Sequence, residues 1–145
     1  MSDSTLLLKN ARVIDCTGAL PRTGQVVLLR GSKIAAVGAE AEVTRDLPPD
    51  TPTLDLAGQT LLPGFIDCHV HIMWNPDPTA PQPRFSSIPA RGLGYWNSRG
   101  LLYAVNACRM TLEAGFTTIQ DLNAPNDPVF ALRDSLAAGE FIGPR

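Results

Sequence analysis

Between residues 6 and 62, apolar positions come in short runs separated by turn-forming residues, the pattern of β-strands rather than helices. The first predicted strand covers residues 6–14 and is closed by Asp15 and the turn-like pair Thr17-Gly18. Residues 25–30 and 33–37 are both β-rich and flank Gly31-Ser32. Two such runs joined by a Gly-X pair predict a hairpin, because glycine supplies the positive φ that a two-residue turn needs. Gly38 is expected to end the second of these strands. Residues 39–50 are polar and end in Pro48-Pro49, so they hold a short helix at most and then a linker. Two further short strands, 53–56 and 60–62, surround Ala57-Gly58. Residues 1–62 thus read as a small N-terminal β-module, near the lower size limit for independent stability.

Pro63-Gly64 marks a boundary, and the pattern changes behind it. Residues 65–71, Phe-Ile-Asp-Cys-His-Val-His, form a compact strand candidate. A long loop is expected over 75–97, with prolines at 76, 78, 81, 83 and 89 and glycines at 92 and 94. Residues 98–114 carry one apolar stripe, Leu101, Val105, Cys108 and Leu112, and predict a helix with Ser98 as N-cap and Gly115 as its stop. A strand over 117–122, a helix over 126–138 stopped by Gly139, and a strand start at Phe141-Ile142 complete the series. Strands alternating with helices predict parallel pairing. The fold class is therefore α/β. Two βα units cannot close a sheet or cover both its faces.

Composition narrows the functional classes. Hydrophobic residues make up 44% of the 145, enough for a packed core, whereas charged residues are 18% with a net charge of −2. Such a chain carries no field for a polyanion, so nucleic acid is not an expected partner. No apolar stretch approaches the roughly 18 residues of a membrane helix. No basic region precedes Leu6-Leu7-Leu8, so no signal peptide is expected. Cys16, Cys68 and Cys108 are odd in number and widely spaced, which makes a reducing cytoplasm the default location.

His69 and His71 are the only histidines. At i and i+2 of a strand they share a face, about 7 Å apart along the backbone. Phe65 and Asp67 share that parity, and Ile66, Cys68 and Val70 form the other face. The second set is expected to pack on the 98–114 helix while Phe65, Asp67 and the histidines point inward. A divalent cation such as zinc would satisfy two neutral imidazoles, and Asp67 would then orient one of them. Alternatively, both rings sit on a wet strand facing solvent. Asp121, at the end of the second strand, is either a site residue or a cap on the turn that follows. Trp74, Phe85, Tyr95 and Trp96 either wall a substrate pocket or pack the long loop. Cys68 has the wrong parity for a metal and is expected in the core. Cys16 and Cys108 lack a neighbouring base, so no nucleophilic thiol is expected.

Residues 61–71, Leu-Leu-Pro-Gly-Phe-Ile-Asp-Cys-His-Val-His, resemble the signature of the amidohydrolase superfamily. Residues 111–122, 131–134 and 139–145 resemble its imidazolonepropionase-like and Xaa-Pro dipeptidase-like branch. The resemblance covers nearly the whole chain. It implies a β-module at 1–62 followed, over 63–145, by the first βα units of an incomplete (β/α)₈ barrel. It further implies one or two divalent metal ions, usually zinc, with His69 and His71 as ligands from the first barrel strand. Hydrolysis of a C–N bond in a small amide, dipeptide-like or cyclic amide substrate follows from the same resemblance, and a homo-oligomer is compatible with the full-length form. A bridging lysine or glutamate, two more histidines and the main catalytic aspartate have no counterpart here. Lys9 and Lys33, the only lysines, both lie in the β-module. On that basis the chain reads as a truncated N-terminal portion, inactive by itself. Two alternatives stand beside this one: a mononuclear deaminase of the same superfamily, and a non-catalytic relative.

Overall fold

The computed structural model describes residues 4–74, 92–124 and 126–145. They fall into two units, Met1–Pro63 and Gly64–Arg145.

The first unit is one five-stranded sheet. Its strands are β1 (Thr5–Val13), β2 (Arg22–Arg30), β3 (Lys33–Ala39), β4 (Thr53–Asp55) and β5 (Thr60–Leu61), with a four-residue helix α1 (Glu40–Val43) after β3. The order is β3-β2-β1-β4, and β5 also pairs with β1. β1, β2 and β3 are antiparallel neighbours, whereas β4 and β5 run parallel to β1. Arg30 pairs with Lys33, so Gly31-Ser32 is the two-residue turn expected, with φ +56° at Gly31. Gly38 does not end β3; it pairs with Val26, and the strand runs on to Ala39.

Both faces of this sheet bury apolar side chains. Leu7, Val26 and Leu28 pack with Ala36, Val43 and Leu47, while Ala11, Val13 and Val27 pack with Leu8, Leu29, Leu56 and Leu61. A strand covered on both sides reads as a continuous apolar run, which is why residues 26–29 do not alternate. Each leucine so buried stabilises the fold by about 1.5–3 kcal/mol. Leu8 and Ala11, an odd number apart, reach the same cluster because β1 carries a bulge at Asn10. Three steps along β1 there match two along β2. Asn10 takes φ +56°, and its amide donates to Asp55 Oδ2 at 2.8 Å.

The second unit is built from β6 (Phe65–Val70), α2 (Gly92–Glu113), β7 (Phe116–Asp121) and α3 (Asn126–Ala138). β6 and β7 are parallel. α2 packs on β7 and α3. Its core is Ile72, Met73, Ala104, Ala107, Cys108 and Leu132, with Val70, Leu101, Val105 and Ile119 against it. The predicted stripe on the helix is thus correct in direction.

α2 begins at Gly92, six residues before Ser98, and Ser98 is no cap: its hydroxyl donates to the Gly94 carbonyl at 3.0 Å inside the helix. Two glycines and a serine disguise that first turn and a half, since all three are weak helix formers. The remainder of the expected loop, and Phe85 within it, lies outside the described residues. Of the face expected on the helix, only Val70 joins the core; Ile66 is 65% exposed and Cys68 is also exposed. The helix covers the β7 side of the pair and leaves Ile66 and Cys68, the first two positions of that β6 face, bare. Phe65 and His69 do not face an interior either, because two strands cannot enclose one. Finally, Phe141 and Ile142 are exposed, and it is Arg145 that lies along β7. Its N–H donates to Thr117 O and its carbonyl accepts from Ile119 N–H, both at 2.8 Å.

Candidate functional site

The C-terminal ends of β6 and β7 bring the chemistry-bearing residues of the second unit together. Val70 pairs with Asp121 at this end of the sheet, and His71 follows directly. The imidazoles of His69 and His71 are in edge contact, with ring centroids 5.3 Å apart. His69 is exposed and His71 half-buried. The indole of Trp74 stacks on His71 at 4.6 Å with the planes 21° apart. His71 Nδ1 is buried and has no hydrogen-bond partner among the described residues.

The backbone around His71 is held by several contacts. Trp74 N–H donates to the His71 carbonyl at 3.0 Å, closing turn 71–74. Ile72 N–H donates to Asp121 Oδ2 at 2.9 Å, and Asn123 N–H donates to Asp121 Oδ1 at 3.0 Å. Asp121 therefore caps the turn after β7 and ties it to the end of β6; both of its oxygens are engaged by backbone. Ile72 and Met73 are buried beneath the turn. Gly100 allows this, because a Cβ there would lie 3.0 Å from the Met73 carbonyl oxygen. No pattern in the sequence marks the Met73–Gly100 contact, since the two residues are 27 positions apart and chemically plain.

Asp67 lies two residues before His69 on β6, and its Oδ1 accepts the His69 backbone N–H at 3.0 Å. That bond fixes strand geometry rather than an imidazole. Tyr95 and Trp96 form an edge contact with each other near the start of α2, at 5.5 Å. An open apolar cavity of about 860 Å³ lies between β7 and α3, lined by Ile119, Val129, Leu132, Leu136 and Pro144. Asp121 lines it and neither histidine does. Arg133 and Arg145 also line it, and the histidine pair lies at the strand ends outside it.

As donors, the two imidazoles fit a divalent metal: they are adjacent, and one buried ring nitrogen is without a partner. Among the described residues no group of three His, Cys, Asp or Glu could hold a metal ion. Two donors fall short of the three protein ligands that a catalytic zinc needs. No helix of the described residues is long and apolar enough to cross a membrane.

No protein-family model matches the chain. Among curated proteins, it is 40% identical to N-substituted formamide deformylase of Arthrobacter pascens over 72 residues, 50% of this chain and 13% of that protein. It is 33% identical to imidazolonepropionase of Vibrio parahaemolyticus over 122 residues, 74% of this chain and 29% of the relative. The fold matches the crystal structure of a Xaa-Pro dipeptidase with a TM-score of 0.75 at 22% identity, covering 98% of this chain and 32% of that one. The chain spans less than a third of the length of each of these proteins. With the His-x-His strand, the βα order behind it and these likenesses together, the chain belongs to the amidohydrolase superfamily.

Proposed function

We propose that these residues are the metal-holding opening of a metal-dependent amidohydrolase that cleaves a C–N bond in a small amide, dipeptide-like or cyclic amide substrate. In this reading residues 1–62 are an accessory β-module and 63–145 are the first βα units of a (β/α)₈ barrel. His69 and His71 are two ligands of a divalent metal, zinc in the first instance. The observation that carries the reading is the pair of adjoining imidazoles at the C-terminal end of β6, one with a buried, unpartnered nitrogen. That end of a strand is where barrel enzymes carry their chemistry.

A bound divalent metal supplies an activated water and polarises the scissile carbonyl. This chain's own residues do the holding. His69 and His71 present nitrogen donors, Asp121 clamps the two strand ends through backbone N–H groups, and Trp74 walls one side. The deformylase, imidazolonepropionase and dipeptidase names of the relatives favour C–N hydrolysis over other metal chemistry. Turnover is assigned to the whole enzyme, with the remaining ligands and the proton-transferring aspartate outside these 145 residues.

Calorimetric titration with zinc tests the reading. The 145-residue chain is expected to bind zinc weakly and to hydrolyse nothing, and His69→Ala and His71→Ala are each expected to remove the binding. Zinc bound equally by all three proteins would refute it. A panel of dipeptides, lactams and hydantoins, offered to the longest translated product that contains these residues, tests the reaction class.

A further inference from the structure

We infer that Trp74 is the positioning residue for His71, fixing the plane of its imidazole by stacking where no hydrogen bond among the described residues does so. A ligating histidine is ordinarily oriented through its second ring nitrogen, by a carboxylate or a carbonyl. At His71 that means is missing among the described residues: Nδ1 is buried and unpartnered and no hydrogen bond reaches the other ring nitrogen, so whichever nitrogen takes the metal, the second has no orienting partner. Neither nearby carboxylate is bonded to the ring: Asp67 Oδ1 accepts from the His69 backbone, and both oxygens of Asp121 accept from Ile72 and Asn123. What does lie against the ring is the Trp74 indole, nearly parallel at 4.6 Å, with the His69 ring edge-on at 5.3 Å. A pair of flat rings in offset contact is worth about 0.5–1.5 kcal/mol beyond its buried area. That is enough to select one orientation of an imidazole, whose terminal torsion is otherwise broad.

Trp74 can do this because its own place is fixed. Turn 71–74 is closed by Trp74 N–H on the His71 carbonyl, pinned by Ile72 N–H on Asp121, and anchored below by the buried Met73 against Gly100. The indole is thereby carried three residues past the histidine and folded back over it. Trp74 is still 39% exposed, so replacing it removes the stack without emptying the core.

The inference rests on the reading of His71 as a metal ligand for its purpose, and the experiment keeps the two apart. The protein holds two histidines, so a His69→Ala background leaves a single imidazole in an NMR spectrum of histidine-labelled protein. In the metal-free His69→Ala protein, the His71 ring protons are expected upfield from the indole ring current. Trp74→Ala should return them to free-histidine positions, and Trp74→Phe should keep part of the shift. In the chain with both histidines, Trp74→Ala should weaken zinc binding about tenfold, the low end for loss of an orienting partner, and Trp74→Phe should restore most of it. Far-UV circular dichroism that is the same for all variants shows that the fold is intact. If Trp74→Ala leaves the His71 ring signals in place, the inference is overturned, whatever zinc does. If the signals move as expected but zinc binding ignores His71→Ala, Trp74 still positions the ring and the metal reading is what fails.

Discussion

A single methyl group at Gly64 tests how tightly β6 and β7 are joined at the start of the second unit. A Cβ built on Gly64 would lie 2.1 Å from Thr117 Oγ1, 2.2 Å from Cγ2 and 2.7 Å from Cβ. The hydroxyl and methyl can rotate away, but the Thr117 Cβ is fixed to the backbone of β7. Ordinary contact begins at 3.4 Å, so the two Cβ atoms would be about 0.7 Å too close. The neighbouring backbone cannot yield freely: Phe65 N–H is bonded to Gly115 O at 2.9 Å, and Thr117 O accepts from Arg145 at 2.8 Å. Overpacking of this kind costs about 1–3 kcal/mol. The stiffer unfolded chain of an alanine variant offsets about 0.4–1 kcal/mol. Gly64→Ala is therefore expected to destabilise the unit by about 1.3 kcal/mol, roughly a ninefold change in the unfolding constant. Both tryptophans, Trp74 and Trp96, lie in this unit, so urea unfolding followed by tryptophan fluorescence reads it selectively. Thr117→Gly removes all three clashing atoms, and the double variant should recover more than 1 kcal/mol relative to the sum of the single changes. An unchanged midpoint for Gly64→Ala, or strictly additive single effects, would refute the reasoning.

Three other outcomes are expected. Asp121→Ala should cost about 1.5–3 kcal/mol, because two backbone N–H groups lose a charged acceptor; Asp121→Asn, which keeps one acceptor oxygen, should cost less in the same urea assay. In the first unit, the Thr17 hydroxyl and N–H, with Arg22, hold the Asp15 carboxyl below its ordinary value, and the Ala57 N–H, the Asn10 amide and Lys9 do the same for Asp55. A folded pKa below the unfolded one gives stability that is complete above the unfolded value and is lost as pH falls through the folded one. Protection of the β1 and β2 amides from exchange, taken relative to the intrinsic rate at each pH, should therefore fall in acid, and that fall should shrink in Asp15→Asn and Asp55→Asn; an undiminished fall in both variants counts against it. Burial pushes the Cys108 thiol up, while Cys16 and Cys68 are exposed. A thiol reagent should modify two cysteines in the native protein and the third only after unfolding; rapid modification of all three would contradict the packing of Cys108.

The local pattern alone determined most of the strands, the Gly31-Ser32 hairpin and the helix over 126–138, because hydrogen-bonded turns and amphipathic periods are short-range properties. It also singled out His69 and His71, whose i, i+2 spacing predicts a shared face; their rings do touch, although β6 stops at Val70 and His71 lies just beyond it. Whether that face is enclosed is a different question, and parity is silent on it. Ile66 and Cys68 have the alternation of core residues and yet lie exposed, because the helix that could cover them sits over β7. The start of α2 at Gly92 was hidden for the same reason: tertiary packing, with Gly100 against Met73, outweighs the weak propensity of its first residues. The stack of Trp74 on His71 and the clamp of Asp121 across two strand ends are likewise tertiary facts. Each depends on where a backbone N–H or a ring points after the chain has turned, and those directions are set by contacts between residues up to 49 positions apart.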